Sequence, residues 1–560
     1  MPAPKPLTQC DPPALDWSRP GTPAASDFGD IYFSTDGGLE ETEMVFLKAC
    51  GLPESWQDKS RFVIGELGFG SGLNFLAAWR LWDTEKPKNA RLHFISIEKF
   101  PFEAAQLKQA LLAWPDLVDY SSQLIAHWPG RVKGFHRLHF GDVTLTLIHD
   151  GISNALDELD AEVDAWFLDG FSPAKNPDMW SAQLMKKLAK LSAPGARLGT
   201  FTVAGFVRQG LTEAGFTVKK KPGFGRKRHR LEASYPGENK SCSPIPTPTI
   251  IGAGIAGAAL VKAFKRRGIN PIVIHDPAHK AASHNAAALV KPRLDLQDRP
   301  ESRFFLGSYL YALKAYQDHS LMMGVNHIPK SDAEITRFKK LNLQAPLPPH
   351  HFNFDEEKNS LALGQSLVIQ PKNVLEHWLK DISLSEGKPS ETGLTIFAAG
   401  FGLKSLLKHH NLPLRFSRGQ LTWAEPEEPF MTELTKPVTY GGYAVPLKDG
   451  LLLGATHQRL DGTDPFALKK NDDIENLETF KKFTEISATQ SDKKSRASIR
   501  VTTADTLPLM DEIDKDIWVF TGLGSRGFVF APLLAEAIVS KICGDPLPIS
   551  KKVWARFGLR

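Results

Sequence analysis

The run IGAGIAGA, Ile251 to Ala258, follows the apolar, β-prone residues PTII and leads into LVKAFKRRG, whose apolar spacing is helical and whose final glycine is a stop. Strand, glycine-rich turn and helix in that order make the phosphate-binding unit of a dinucleotide site. Gly252 permits the tight turn, Gly254 lets the backbone approach a pyrophosphate, and Gly257 lets the helix lie close on the strand. The pyrophosphate belongs at the helix N-terminus, where unpaired N–H groups favour an anion. A second strand, PIVIHD, ends in Asp276, about 20 residues beyond the glycines, where a carboxylate can take ribose hydroxyls. Such a unit opens its domain, because its strand is the centre of a sheet. Something complete therefore precedes it, and the chain reads as two halves.

At 560 residues the chain exceeds one ordinary core and suits two domains. Its 42% hydrophobic and 23% charged residues are the balance of a folded globular protein, which excludes wholesale disorder. No apolar run approaches the roughly 18 residues of a membrane span, and the Pro-rich start MPAPKPLTQCDPP lacks the apolar core of a signal peptide. A cytoplasmic protein without membrane contact is expected. Cys10, Cys50, Cys242 and Cys543 are scattered, with no CxxC pair or nearby His cluster, so neither disulfides nor a metal site is expected. The net charge of +5 is small for this length, and its distribution says more.

In the first half, DIYFSTDGGLEETEMVFLKACGLP predicts a helix through Glu40 to Cys50, capped by Thr35 or Asp36 and stopped at Gly51. RFVIGELGFGSGLNFLAAWRLW then reads as strand, turn and helix, with Glu66 at the strand end and glycines alternating at Gly68, Gly70 and Gly72. Alternate glycines after an acidic strand end make an open turn that admits an amino-acid-bearing sulfonium and its ribose, with no demand for a pyrophosphate. The next strand, LHFISIEK, ends in Glu98, placed to accept ribose hydroxyls, and VTLTLIHD ends in Asp150, near an adenine amine. Acids at successive strand ends around one crevice are the pattern of S-adenosylmethionine (SAM) enzymes. In VDAWFLDGFSPAKNPDMW, Asp169 leaves a buried strand into a loop that turns Lys175, Asn176 and Asp178 toward the cofactor. An amine must be neutral to take a methyl group, and a carboxylate beside it can accept or position the proton. Asp178 is the first choice for that role and Asp169 the second; either can instead cap the helix SAQLMKKLAK.

The half closes with AGFTVKKKPGFGRKRHRLEAS, a β-hairpin turning at Gly223 and Gly225 and carrying Lys219, Lys220, Lys221, Arg226, Lys227, Arg228 and Arg230. Cations at this density suit a phosphate backbone, since they release condensed counterions. The hairpin reads equally as a solvated sheet edge kept from aggregation by its lysines. A polar, Pro-rich linker, ENKSCSPIPTPT, follows.

ELGFGSGLNF, LDGFSPAKNPDMW and GFGRKR, with IGAGIAGA placed after a Pro-rich linker, resemble the family of bifunctional tRNA 5-methylaminomethyl-2-thiouridine biosynthesis proteins over nearly the whole chain. The resemblance implies an α/β chain. A class I methyltransferase, Rossmann-like domain would span residues 1–240, with a linker at 241–248. A D-amino-acid-oxidase-like FAD-binding domain, with an inserted antiparallel-sheet substrate layer, would span 249–560. AASHNAAALVKPRLD resembles the stretch along the flavin in D-amino-acid and glycine oxidases, with Ser283 and Asn285 able to hydrogen-bond the cofactor. TIFAAGFG brings Gly400 to a second close approach, and LRFSRGQLTWAE is expected to turn through Arg418 and Gly419. GGYAVPLKDGLLLGATHQRLD reads as a hairpin with Lys-Asp-Gly at its tip. In FTGLGSRGFVFAPLLAEAI, Gly522, Gly524 and Gly527 bring backbone N–H groups to the electron-rich edge of the flavin ring. Arg500 is the residue expected to bind a substrate carboxylate through two parallel hydrogen bonds; a surface ion pair is the bland reading, and Arg526 and His457 are weaker candidates. Residues 325–365 attach to no function.

By resemblance, FAD-dependent oxidation removes a carboxymethyl group from 5-carboxymethylaminomethyl-(2-thio)uridine at the tRNA wobble position. SAM-dependent methylation of the remaining aminomethyl group follows. The anticodon base is reachable because single-stranded loops expose their bases. The expected partner is tRNA, taken by a cytoplasmic monomer through Lys219, Lys220, Arg226, Lys227 and Arg228, with no metal. Two other readings stand beside this one: an amine or amino-acid oxidase fused to a metabolite methyltransferase, and a tRNA-binding module whose SAM half has lost catalysis.

Overall fold

Beyond Arg61, every residue of the strand Arg61–Leu67 (β1) is buried, the pattern of a strand covered on both faces. It lies inside an eight-stranded sheet whose order is Thr217–Pro222 (β7), His229–Ser234 (β8), Ser192–Thr200 (β6), Val163–Leu168 (β5), β1, Arg91–Glu98 (β2), Val143–His149 (β4) and Gly134–Phe140 (β3). The pairs β1–β2, β1–β5, β2–β4 and β5–β6 are parallel, and β3 and β8 pair antiparallel with their neighbours. Alternation along the strands feeds two cores. Phe62, Ile64, Phe94 and Phe167 enter one, while Val63, Leu67, Ile95 and Trp166 enter the other. Helix Leu73–Glu85 (α1) adds Phe75, Leu76, Trp79 and Trp82 to the first, and helix Ala182–Leu191 (α2) adds Leu184, Met185 and Leu188 to the second.

The computed structural model describes residues 5–19, 22–33, 37–225, 228–238, 245–278, 280–387, 393–426, 434–460, 462, 464–493 and 495–559. Thr35 and Asp36, the expected helix caps, lie outside these, as do Arg226, Lys227 and Cys242. The helix expected over 40–50 is instead a short α-helix, Gly38–Thr42, continued by a π-turn, Glu43–Leu47. Three successive residues there, Val45, Phe46 and Leu47, are buried, which the wider turn accommodates.

One compact unit comprises Gln9–Pro244 with Ser540–Lys552, and the other Met1–Thr8, Ile245–Val539 and Val553–Arg560. The sequence boundaries at 240 and 249 do not carry these terminal segments. In the first unit Asp545 accepts from Arg91 at 3.0 Å, Arg137 donates to the carbonyl of Pro546 at 2.6 Å, and Leu547 and Ile549 are buried. In the second, Leu7 donates its N–H to the carbonyl of Leu296 at 2.9 Å.

The second unit is built on a six-stranded sheet. Its order is Leu384–Ser385 (β14), Ile272–Ile274 (β10), Thr249–Ile251 (β9), Thr395–Phe397 (β15), Ile517–Thr521 (β22) and Leu509–Asp514 (β21). Helix Ile255–Lys265 (α3) leaves β9 through the glycine turn. A Cβ on Gly257 would stand 1.8 Å from the carbonyl oxygen of Gly252, so helix and strand can meet only through glycine.

A second, eleven-stranded sheet is largely antiparallel. Its main members are Ala288–Val290 (β11), Ser320–His327 (β12), Ser360–Ile369 (β13), Arg415–Pro426 (β16), Val438–Thr439 (β17), Tyr443–Leu447 (β18), Gly450–Gly454 (β19) and Arg496–Thr502 (β20). The β18–β19 hairpin turns at Lys448 and Asp449. The turn expected at Arg418 and Gly419 is absent: β16 runs straight through, paired with β20 from Arg415 to Leu421. Gly419 serves a different need, because a Cβ there would stand 2.5 Å from Nη1 of Arg500.

Helix Lys470–Thr484 (α4) is fastened to β16 by buried polar groups. Asp472 pairs with Arg418 and accepts from Gln458 at 2.6 Å, while Asp473 accepts from Thr422 at 2.6 Å and Gln420 at 2.9 Å. Truncating Asp472→Ala leaves a buried guanidinium without its anion, and we expect a loss of about 3–5 kcal/mol in denaturant unfolding of this unit. A loss below about 1 kcal/mol for the same variant would contradict the fastening role.

Candidate active sites

In the first unit the crevice opens at the carboxyl ends of β1, β2 and β5. Glu66, the buried strand-end acid, accepts from Nδ2 of Asn74 at 2.9 Å and from Oγ of Ser96 at 2.6 Å. Burial pushes its carboxyl well above the usual range, with the nearby Asp169 and Glu98 adding to the rise. Asn74 stands one residue into α1, and the same amide nitrogen donates to Oδ2 of Asp169 at 2.7 Å while its oxygen accepts from Thr42 at 2.8 Å. Both N–H bonds of the amide are thereby committed, one to each acid. Sequence reading missed Asn74; its place in GSGLNF, just inside the helix after the glycine turn, is the signal that was available.

Glycines hold the turn open. Gly68 has φ +92°, and a Cβ there would stand 2.3 Å from the carbonyl oxygen of Asp169, so the turn presses against the loop after β5. Gly70 donates its N–H to Glu98 at 3.0 Å, and Phe100 donates to the other oxygen at 2.8 Å. Burial raises the carboxyl of Glu98, opposed by the backbone N–H groups of Gly70, Phe100, Lys99 and Phe69. Gly72 caps α1 in the left-handed region. Asp150 follows β4 and accepts from the N–H of Gly151 at 2.8 Å. The backbone cradle and ordered acids fit SAM.

The two carboxylates considered for the amine part company. Asp169 is tied into the crevice through Asn74, whereas Asp178 is exposed on the 3-10 turn Pro177–Trp180. Neither caps α2, because Ser181 does so, its Oγ accepting from the N–H of Leu184 at 3.3 Å. Lys175 engages the carbonyl of Gly29 and lies 3.6 Å from Asp30. Tyr32, from the same early segment, packs edge-on to Phe171 with centroids 5.4 Å apart.

The hairpin β7–β8 forms an edge of the sheet. Lys219, Lys220, Lys221 and Arg228 are exposed along it, whereas Arg230 is buried and pairs with Glu232 at 2.6 Å.

In the second unit a cavity of about 1080 Å³ lies against the glycine turns. That is just above the roughly 300–1,000 Å³ of a small-ligand pocket, room for an extended cofactor. Gly252, Gly254, Asp276, Asn285, Gly400, Gly522, Gly524, Gly527 and Arg500 all line it, and Gly257 instead forms the helix–strand contact behind it. Gly252 and Gly522 hold positive φ, and the small residues leave the backbone bare toward the cavity, a donor set that fits FAD. Ser283 accepts from the N–H of Ile255 at 3.0 Å, and Asn285 accepts from Arg496 at 3.1 Å. Arg500 lies over Gly419 and donates to the carbonyl of Thr456 at 3.2 Å. It faces Tyr443, whose hydroxyl burial pushes up to about 12, and it helps burial lower the proton affinity of His457.

Among the lining residues that sequence reading did not single out are Lys291, His327, Lys330 and Glu334. Three of them come from the stretch 325–365 that carried no motif. No group of three or more potential metal ligands occurs among the described residues. No helix among them is long and apolar enough to cross a membrane.

Residues 115–236 match the S-adenosyl-L-methionine-dependent methyltransferase family, and residues 376–541 match the FAD dependent oxidoreductase family. The tRNA 5-methylaminomethyl-2-thiouridine biosynthesis bifunctional protein of Maricaulis maris is 38% identical over 96% of this chain and 93% of its own length. The protein of the same name from Caulobacter vibrioides is 39% identical over 98% of this chain and 97% of its own. Among solved structures, iminodiacetate oxidase from Chelativorans sp. BNC1 aligns with 56% of this chain and 98% of its own at 16% identity and a TM-score of 0.47. The cofactors of the chain are SAM and FAD.

Replacing Asn74→Ala removes both donors from two acids. We expect methyl transfer to fall by about 10- to 100-fold, the worth of a buried unsatisfied polar group, with FAD content unchanged. Single-turnover methylation beside flavin absorbance checks both halves in one preparation.

Proposed function

Because the chain belongs to the family of bifunctional tRNA 5-methylaminomethyl-2-thiouridine biosynthesis proteins, we propose that it acts twice on the wobble uridine of tRNA. The second unit oxidises the C–N bond of a carboxymethylaminomethyl group, hydrolysis of the imine releases glyoxylate, and an aminomethyl group remains. The first unit then methylates that amine. The observation that carries this reading is Arg500 in the FAD cavity, because the first substrate is a glycine alkylated on nitrogen and its carboxylate needs a cation.

FAD supplies the two-electron acceptor when bound between the glycine turns. Arg500 orients the carboxylate, Thr456 fixing one of its N–H groups and Gly419 leaving room for the guanidinium. In the other unit Asp169 receives or positions the amine proton, held by Asn74 at the strand end, and Asp178 is the lesser choice because it is exposed. Lys219, Lys220 and Arg228 offer exposed cations to the tRNA backbone, and Arg226 and Lys227 extend that set in sequence.

Purified protein incubated with tRNA carrying carboxymethylaminomethyluridine, with and without SAM, tests the whole scheme by nucleoside mass spectrometry. The carboxymethyl group should disappear in both cases, and a methyl group should appear only with SAM. An unchanged nucleoside, with FAD reduced by free N-alkylglycines, would establish the metabolite oxidase instead. Arg500→Ala should lower kcat/KM of the oxidative step by roughly 30-fold or more, while methylation of tRNA already bearing the aminomethyl group continues.

A further inference from the structure

Lys291, just past the end of β11, reaches the FAD cavity from the wall formed by β12 and β17. Its Nζ is 3.3 Å from Nδ1 of His327 and 3.4 Å from Oγ1 of Thr439. On the far side of the ring, Nε2 of His327 is 3.5 Å from Oε1 of Glu334. Both line the cavity and both side chains are 19% exposed, so the row ends on a carboxylate that water reaches. Thr439 pairs directly with Tyr443 across β17–β18, which puts both side chains on one sheet face. Lys291 adjoins the first and Arg500 faces the second.

We propose that Lys291, His327 and Glu334 form the proton exit of the oxidative site, with Lys291 taking the proton from the substrate amine. This rests on the oxidase reading above. A secondary amine is an ammonium ion in water and must lose a proton before its C–N bond can be oxidised. One N–H bond of the substrate ammonium breaks and the proton joins the lone pair on Nζ of Lys291. Nζ then gives a proton to Nδ1 of His327, Nε2 gives its own to Glu334 as the 3.5 Å contact tightens into a hydrogen bond, the carboxyl releases it to water, and the ring turns over to restore its Nε2–H form. No electrons change hands in these transfers, and each group returns to its starting charge. Lys291 is the catalytic residue; His327 and Glu334 act through it.

The charges around the row fit this task. Burial, with Arg526, Lys330 and Arg337 nearby, pulls the Lys291 amine down to about 8, and Glu334 opposes them. Burial and Lys291 hold His327 at about 4, against the pull of Glu334, so the ring is neutral and can both accept and donate. Because the folded value lies below the ordinary lysine value, the neutral amine gains population as pH rises through about 8.

The test uses the FAD-loaded full chain and tRNA carrying carboxymethylaminomethyluridine. Anaerobic flavin bleaching should quicken with pH and level off above about 8. Lys291→Met should slow it about a hundredfold and abolish that rise. A second readout is acetylation of Lys291 against pH, followed by peptide mass spectrometry. Its midpoint should move down in Glu334→Gln, because the anion that raises it is gone. Wild-type bleaching and pH profile in Lys291→Met would overturn the proposal while leaving the oxidase reading intact. So would a Glu334→Gln midpoint that stays in place, which decides the matter even where Lys291→Met fails to fold. Failure of the wild-type protein to bleach with this tRNA would sink the oxidase reading itself, separately.

Discussion

The tightest constraint on the second unit is the contact of α3 with β9, where a Cβ on Gly257 would stand 1.8 Å from the carbonyl oxygen of Gly252. The helix can start against the strand only if no side chain intervenes, and this fixes where its first N–H groups point. The cavity, its glycine-lined rim and the six-stranded sheet behind it all follow from that approach. The first unit obeys the same rule at Gly68, where the turn rests on the carbonyl of Asp169. In both cases bare backbone is what lets a cofactor come close.

The two sites use buried charge in opposite ways. In the SAM crevice an amide holds two acids, so that Glu66 becomes a buried support and Asp169 is oriented by it through Asn74. In the FAD cavity cations outnumber acids: Lys280, Lys291, Lys330, Arg500 and Arg526 line it beside Asp276, Glu334 and Glu376. A cationic cavity favours a substrate that brings a carboxylate and makes a neighbouring lysine easier to deprotonate. A carboxylate-rich crevice favours a sulfonium and a protonated amine. The order of the proposed chemistry, removal of an acid and then methylation of an amine, follows the same division of charge.

Polar groups also set the frame around the second site. Arg418 and Asp472 fasten α4 to β16, and β16 in turn carries Gly419, which makes room for Arg500. The fastening is therefore coupled to the site through one strand. A buried ion pair whose members do not line the cavity thus still bears on how the cavity's guanidinium is seated.

Much of this was legible in the residues. Alternating or spaced glycines between an apolar strand and a helix announced both cofactor turns, since only glycine tolerates those backbone angles and approaches. The acids Glu66, Glu98 and Asp276 were marked by their place at strand ends, whereas Arg500 was suggested by family resemblance and by the chemistry of a guanidinium with a carboxylate. Local rules failed where the deciding neighbour was distant. Gly419 looked like a turn because its true partner, the guanidinium of Arg500, lies 81 positions later in the chain and meets it only through the β16–β20 pairing. Asp169 carries no local mark of its partner, because Asn74, from another strand–helix unit, reaches it only in the fold. His327 and Glu334 carried no motif, and only sheet packing brought them beside Lys291. The sequence by itself determined the cofactor turns, because backbone approach is a local steric property. Tertiary structure alone decided which charged groups share a cavity, because electrostatics depends on distance in space and not along the chain.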